Sequence, residues 1–166
     1  MTSPQPSPAW ARHAGRVTVA PQTADTDPAR TADRLMIAER IARYGWGYDE
    51  RDRALLADCF TADGVWEGSV MGGDPVGPFV GRDAVADFLA EFWAIQTDQR
   101  RHVFTNVVVE SIAGDRAVAH AYLILTASAE ATMNVVTNGP YRFELLRETD
   151  GVWRMTKLSA GFDAPF

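Results

Sequence analysis

The spacing of apolar residues predicts three helices in the first hundred residues of the chain. Ile37, Ile41, Tyr44 and Tyr48 recur at intervals of four, three and four residues, which is typical of a helix with one buried face. The predicted helices are about Ala32–Arg51, Arg53–Phe60 and Arg82–Gln96.

The segment between the second and third helices predicts a strand and a loop. The turn signal Ala62-Asp63-Gly64 ends the second helix, and Val65–Val70 is the predicted strand. Met71–Gly81 contains four glycines and two prolines, so it is a candidate rim or lid of a pocket.

After the third helix the apolar period changes from about 3.6 to two, which predicts strands. Short turns at Ala113-Gly114-Asp115 and Thr149-Asp150-Gly151 separate the first pair of strands and the last pair. The four antiparallel strands are predicted at His102–Ser111, Arg116–Ala127, Asn134–Glu148 and Val152–Ser159. We therefore expect an α+β fold in which a curved sheet wraps around helices and encloses a pocket.

Composition divides the chain into a tail and one domain. Five of the nine prolines lie between Met1 and about Pro28, among Ser, Thr, Gln and Ala, and this composition buries too little surface to offset chain ordering. We expect an extended or disordered tail at residues 1–30 and one domain at residues 31–166. A hydrophobic share of 46% and five tryptophans supply enough apolar surface for the core of that domain.

Charge and sequence patterning exclude several classes of partner. The net charge of −6 opposes a nucleic-acid partner, because such binding depends on Lys and Arg contacts with phosphates. No apolar run approaches the roughly 20 residues that cross a bilayer, and the N-terminus lacks the apolar core of a secretory signal. We predict a cytoplasmic protein that binds neither nucleic acid nor membrane. Because Cys59 is the only cysteine, an intrachain disulfide is excluded.

Four segments of the sequence resemble the SnoaL-like branch of the nuclear transport factor 2-like superfamily. They are Tyr48-Asp49-Glu50-Arg51-Asp52, the run from Leu55 to Trp66, Val80-Gly81-Arg82-Asp83-Ala84-Val85, and Asp150-Gly151-Val152-Trp153-Arg154-Met155. The resemblance covers about Ala32–Asp163 and implies a cone-shaped α+β barrel. This scaffold hosts dehydratases, isomerases, cyclases, dehydrochlorinases and catalytically silent subunits.

Within that superfamily the pattern is most similar to scytalone dehydratase, bile-acid dehydratase and the hexachlorocyclohexane dehydrochlorinase. These enzymes carry an Asp near the end of the first helix and a His at the start of the strand after the third helix, which implies Asp49 and His102 here. The Tyr48-Asp49 pair also resembles scytalone dehydratase, whose tyrosine holds the substrate oxygen. The second catalytic histidine of that enzyme has no counterpart, because Thr126 or Ala127 takes its place.

The residues themselves support acid-base chemistry at these positions. A neutral imidazole at His102 suits removal of a proton next to a carbonyl, and a carboxylate at Asp49 would orient the ring and stabilise its charged form. Gly45, four residues before Asp49, leaves space for a ring beside the carboxylate. The alternatives are a solvated carboxylate at a helix end and a strand-end histidine that faces water. For His120, a partly buried structural role is the favoured interpretation.

Further side chains are candidates for holding the substrate. Tyr48, Asn106 and Tyr141 are predicted to donate hydrogen bonds to a developing enolate without carrying charge, although Tyr48 also fits core packing and Asn106 also fits a structural role. The aromatic candidates for substrate binding are Trp46, Trp66, Phe88 and Phe92, whose alternative role is again core packing.

We expect neither a metal nor a cofactor. His102 and His120 are eighteen residues apart and form no local ligand pair, and the glycines of the chain do not follow a dinucleotide or phosphate-loop pattern.

These observations predict a cofactor-independent dehydratase or cyclase for a hydroxylated polycyclic ketone, with an aromatic polyketide as the substrate class that the resemblance implies. The alternatives are a steroid-type dehydratase or isomerase with the same His-Asp pair, and a non-catalytic binding or assembly module of the same fold. The resemblance also implies a homodimer or homotrimer.

Overall fold

In the computed structural model, which describes residues 22, 27–71 and 73–166, the first helix begins where the sequence supplies a cap. Helix α1 spans Pro28–Asp49; the side chain of Asp27 accepts a hydrogen bond from the Ala29 amide at 2.9 Å, and proline occupies the first turn. The helix therefore starts four residues before the predicted Ala32. The rest of the predicted tail, residues 1–21 and 23–26, lies outside the described residues.

Two further helices and six strands follow α1. They are α2 (Arg53–Asp58), β1 (Phe60–Val70), β2 (Val76–Val80), α3 (Arg82–Glu91), a 3-10 turn (Phe92–Ala94), β3 (Gln99–Ala113), β4 (Arg116–Ala129), β5 (Thr132–Arg147) and β6 (Trp153–Phe162). The strands form one curved, unclosed sheet in the order β2-β1-β6-β5-β4-β3, in which only the β1–β6 pair is parallel. The predicted α+β class and the four antiparallel strands are confirmed. None of the helices described is long and apolar enough to span a membrane.

The region between α2 and α3 differs from the prediction. The turn signal Ala62-Asp63-Gly64 lies inside β1, because the register against β6 shifts there: Phe60 pairs with Met155, whereas Val65 pairs with Lys157. Three residues of β1 are thus absorbed by an irregularity instead of ending the strand. The predicted loop also contains β2, an edge strand paired with β1.

The core lies between α1 and the concave face of the sheet. The predicted helical stripe is confirmed, since Ile37, Ile41, Tyr44 and Tyr48 are all buried. The stripe belongs to one hydrophobic cluster with inward side chains of the long strands, among them Leu123 and Phe143. Each large apolar side chain buried in this way contributes about 1.5–3 kcal/mol. This packing fixes the end of α1 against the sheet.

We predict that Gly47→Ala destabilises the protein, although alanine favours a helix by about 1 kcal/mol. A Cβ at residue 47 would lie 2.9 Å from the Leu56 backbone nitrogen and 3.1 Å from its Cα, so α2 would have to move away from α1. We expect a net loss of about 1–2 kcal/mol in the free energy of unfolding, measured by urea denaturation. An increase in the free energy of unfolding would show that α2 can move away from α1 without loss of packing energy.

Candidate active site

The last residue of α1 contacts the start of β3 through two hydrogen bonds. Asp49 Oδ1 lies 2.6 Å from His102 Nδ1, and Asp49 Oδ2 accepts from the His102 backbone amide at 2.8 Å. Both side chains are largely buried, with 7% of Asp49 and 8% of His102 exposed. An ionised carboxylate only accepts, so the neutral ring carries its proton on Nδ1 and has its lone pair on Nε2. The structure brings the two predicted residues together.

The chain around this contact is built for close approach. A Cβ at Gly45 would lie 3.2 Å from the His102 carbonyl oxygen and 3.4 Å from its Cβ, so the glycine lets the strand pass close beside the helix. The end of α1 is also tied down, because Gln99 Nε2 donates to the Asp49 carbonyl at 3.2 Å.

His102 lines a mostly apolar cavity of about 120 Å³ that opens to solvent on one side. Five of the predicted site residues line the same cavity: Tyr48, Trp66, Phe88, Phe92 and Tyr141. The enclosed space is about the size that holds one aromatic ring. A fused-ring ligand would therefore extend beyond the enclosed space. Val76 of β2, which lies in the predicted rim Met71–Gly81, is one of the lining residues.

Two tyrosines in this cavity are neutral hydrogen-bond donors. The Tyr48 ring centroid lies 4.6 Å from that of His102, and its hydroxyl donates to Gln96 Oε1 at 3.3 Å. Burial raises the pKa of Tyr48, and burial raises the pKa of Tyr141 more strongly. Both phenols therefore keep their protons near pH 7 and can donate to a developing negative charge.

Trp46 does not line this cavity. Its side chain is exposed and lies in a separate groove that Asp49, His102 and Val103 also line, so its role in substrate binding stays a prediction. Helical geometry explains its position, because Trp46 is two residues from both Tyr44 and Tyr48 and so points to the opposite side of α1.

Asn106 also lies away from the cavity. It is exposed and has a φ of 52° at a register shift between Thr105 and Val108. Its side-chain oxygen accepts from the Thr105 hydroxyl at 3.2 Å. The shift breaks the alternation that the prediction assumed, so the amide does not follow the inward side chains of His102 and Phe104.

His120 is on the outer face of the sheet. Its Nε2 lies 2.7 Å from Glu110 Oε2, and the flanking Ala119 and Ala121 are part of the core cluster on the other face. This agrees with the structural interpretation of His120.

Several residues of the cavity were not predicted as site residues: Tyr44, Ser69, Gln96, Phe162 and Phe166. Tyr44 could have been predicted as a lining residue, because it lies on the same helical stripe as Tyr48, four residues earlier. Phe162 lies beyond the predicted end of the last strand at Ser159, since β6 continues to that residue. Ser69 has a buried hydroxyl with no hydrogen-bond partner among the described residues, and no sequence signal marked it.

Within the described part of the chain, no three His, Cys, Asp or Glu side chains come together as metal ligands. The absence of a cofactor stays a prediction.

The profile of the SnoaL-like domain matches residues 29–159. The chain belongs to the SnoaL-like family. No curated protein matches its sequence.

Solved structures place this SnoaL-like chain in the nuclear transport factor 2-like, cystatin-like fold. A single-residue variant of Rv3472 from Mycobacterium tuberculosis, a protein of unknown function, is 24% identical with a TM-score of 0.71, over 84% of this chain and 78% of that one. A presumed aromatic ring hydroxylase from Novosphingobium aromaticivorans is 28% identical with a TM-score of 0.65, over 82% and 91%. A Catenulispora acidiphila protein in complex with S-DNPA is 27% identical with a TM-score of 0.65, over 78% and 93%.

We predict that neutral His102 is the Nδ1–H tautomer, because Asp49 accepts at that nitrogen. Long-range proton–nitrogen NMR correlations on the labelled protein measure the tautomer directly. Asp49→Asn should weaken the preference, because an amide presents either an acceptor or a donor to the ring. A dominant Nε2–H form in the wild type would mean that the carboxylate does not orient the imidazole.

Proposed function

We propose that this SnoaL-like protein is a cofactor-independent dehydratase or cyclase that acts on a hydroxylated polycyclic ketone. The observation that carries the proposal is the Asp49–His102 pair at 2.6 Å, whose histidine lines an apolar cavity. Because Asp49 occupies Nδ1, the second ring nitrogen is the one available to a substrate.

The proposed elimination uses one histidine twice. His102 Nε2 removes the proton on the carbon next to the substrate carbonyl, and the electron pair of that C–H bond forms an enolate. The enolate then forms the carbon–carbon double bond as the C–O bond to the β-hydroxyl breaks, and the imidazolium returns the proton to the departing hydroxide as water. Asp49 stabilises the imidazolium between these steps. Ring closure would use the same enolate as a carbon nucleophile.

Tyr48 is the proposed donor to the enolate oxygen. Its neutral phenol is next to the His102 ring, and its existing hydrogen bond to Gln96 is long at 3.3 Å, so a negatively charged oxygen would compete well for that proton. Aromatic walls at Trp66, Phe88 and Phe92 suit a flat ligand. The S-DNPA complex of the Catenulispora acidiphila protein supports ligand binding by this scaffold.

We predict that His102 catalyses exchange of the protons next to the carbonyl of a tetralone in D2O, which tests proton removal before the natural substrate is identified. His102→Ala should lower the exchange rate about 10²–10⁴-fold, as measured by NMR. His120→Ala is the matched control, because it also removes a carboxylate-bound imidazole but on the outer face. Equal rates in wild type and His102→Ala would remove His102 from the mechanism.

Elimination itself is tested with a β-hydroxy tetralone, which loses water to give a naphthol with a distinct absorbance. A steroid β-hydroxy ketone and a steroid enone, assayed in parallel, distinguish the aromatic polyketide class from the steroid-type alternative. Turnover of the steroids alone would favour that alternative.

A second candidate function is that of an assembly subunit, and the outer sheet face favours it. Val103 and Ile124 pair across β3 and β4, and both are more than a third exposed together with Tyr122, Met133 and Val135. Contiguous exposed apolar surface of this kind marks contact sites. If this face joins copies of the chain, Ile124→Glu should lower the molecular mass of the assembly measured by sedimentation. The rate of proton exchange in the tetralone should stay unchanged. An unchanged mass would show that other surfaces mediate any assembly.

A further inference from the structure

A second cavity of about 400 Å³ lies next to the catalytic one and differs from it in polarity. Its lining includes two arginines, two glutamines and a tryptophan, contributed by the end of α1, the segment after α3 and the start of β3. Among the lining side chains are Arg51, Trp93, Gln96, Asp98 and Arg100.

The two cavities have two lining residues in common. Tyr48 and Gln96 line both of them, and the hydrogen bond between these two residues is 3.3 Å long. The Tyr48 ring lies near both His102, at 4.6 Å between centroids, and Trp93, at 6.0 Å. Tyr48 and Gln96 are therefore the side chains that a ligand occupying both cavities would have to pass.

Arg100 places a cation close to the catalytic histidine. It precedes His102 by two residues on β3, so the two side chains are on the same face of the strand and about 6.6 Å apart along it. Asp98 pairs with the Nε of Arg100 at 2.5 Å. The Nη1 of Arg100 is buried without a hydrogen-bond partner among the described residues.

The other donors of this cavity are also incompletely paired. The indole nitrogen of Trp93 is buried without a partner in the described part of the chain. Arg51 donates to the Gln96 carbonyl at 2.7 Å, and none of the ion pairs among the described residues includes Arg51. Buried donors without acceptors are costly, so an acceptor that reaches them is favoured.

The charged side chains that line this cavity are two arginines and two carboxylates. Of its two carboxylates, Asp98 is paired with Arg100 and Asp49 is hydrogen-bonded to His102. Burial raises the pKa of Tyr48, whereas the Gln96 hydrogen bond and the charges of Arg100 and Arg51 oppose that increase, which places both guanidinium groups within electrostatic reach of the phenol. A guanidinium fork matches the two oxygens of a carboxylate.

We propose that the cavity lined by Arg100, Arg51 and Trp93 binds a carboxylate carried by the substrate, so that the hydroxylated ketone is an acid whose anionic group is held two residues along β3 from His102. This inference rests on the proposed function. The ligand would then pass the Tyr48–Gln96 contact that lines both cavities, with its anionic end in the polar cavity and its ring beside His102.

The experiment compares the binding of a tetralone carboxylate and its primary amide, which have the same shape, by calorimetry. The wild type should prefer the acid by about tenfold or more, and Arg100→Gln should lower the affinity for the acid much more than the affinity for the amide. The matched control is Arg101→Gln, which removes the same charge from the next residue, where Arg101 pairs outward with Glu50 at 3.1 Å.

Equal affinity for acid and amide in the wild type would overturn the inference, as would an equal loss in Arg101→Gln and Arg100→Gln. Acetate identifies the source of the anion. If acetate competes with the tetralone acid, the result supports a carboxylate carried by the substrate. If acetate instead increases the affinity for the neutral amide, the cavity binds a separate anionic ligand and the proposal is overturned.

The acid preference is measured without turnover, so it also separates this inference from the proposed function. His102→Ala should retain the preference. If the wild type prefers the acid but catalyses no proton exchange, the acid-base mechanism is contradicted and the carboxylate site is not. If the wild type catalyses exchange but does not prefer the acid, only the carboxylate site is contradicted.

Discussion

The contact between Asp49 and His102 connects the fold to its chemistry. One carboxylate oxygen holds the backbone of β3 against the end of α1, and the other holds the imidazole ring. The ring is therefore oriented by the same group that docks the helix on the sheet, and Gly45 makes that docking close enough. Because both hydrogen bonds involve a buried charged acceptor, each is stronger than an ordinary neutral one. One side chain at the end of α1 thus fixes both the packing of the helix and the orientation of the imidazole.

The environment of the pair determines what the pair can do. On one side the histidine lines an apolar, ring-lined cavity, where proton transfer is poorly screened by water and fixed dipoles act strongly. On the other side of the Tyr48 ring lies a polar cavity with two guanidinium groups. Tyr48 is located at this boundary, so its hydroxyl can serve an oxygen from the apolar side while its ring separates the two environments.

The sequence predicted the parts of this arrangement that depend on local periodicity. The stripe from Ile37 to Tyr48 identified the buried face of α1, and the turn residues around Gly114 and Gly151 separated the long strands. It failed where tertiary pairing overrides a local signal: the glycine of the apparent turn before Val65 is accommodated inside β1 by its parallel pairing with β6. Asn106 was misplaced for the same reason, because a register shift against β4 turns it outward. The contributions of Ser69 and Gln96 depend on segments that are distant in sequence, which no local pattern can align.

The two histidines show why a hydrogen bond to a carboxylate does not by itself define a catalytic centre. His102 and His120 lie 2.6 Å and 2.7 Å from their carboxylates, which are nearly equal distances. In His120 the remaining nitrogen, Nδ1, is buried against the outer face of the sheet with no partner among the described residues, so no substrate reaches it. In His102 the bound nitrogen is Nδ1, and the ring borders a cavity that admits a ligand.

The difference between the two histidines arises because successive side chains of a strand point to opposite faces of the sheet. His102 points to the inner face, where the cavity lies, and His120 points to the outer face. A base becomes useful only where the fold leaves open space beside it, and here aromatic residues line that space without filling it.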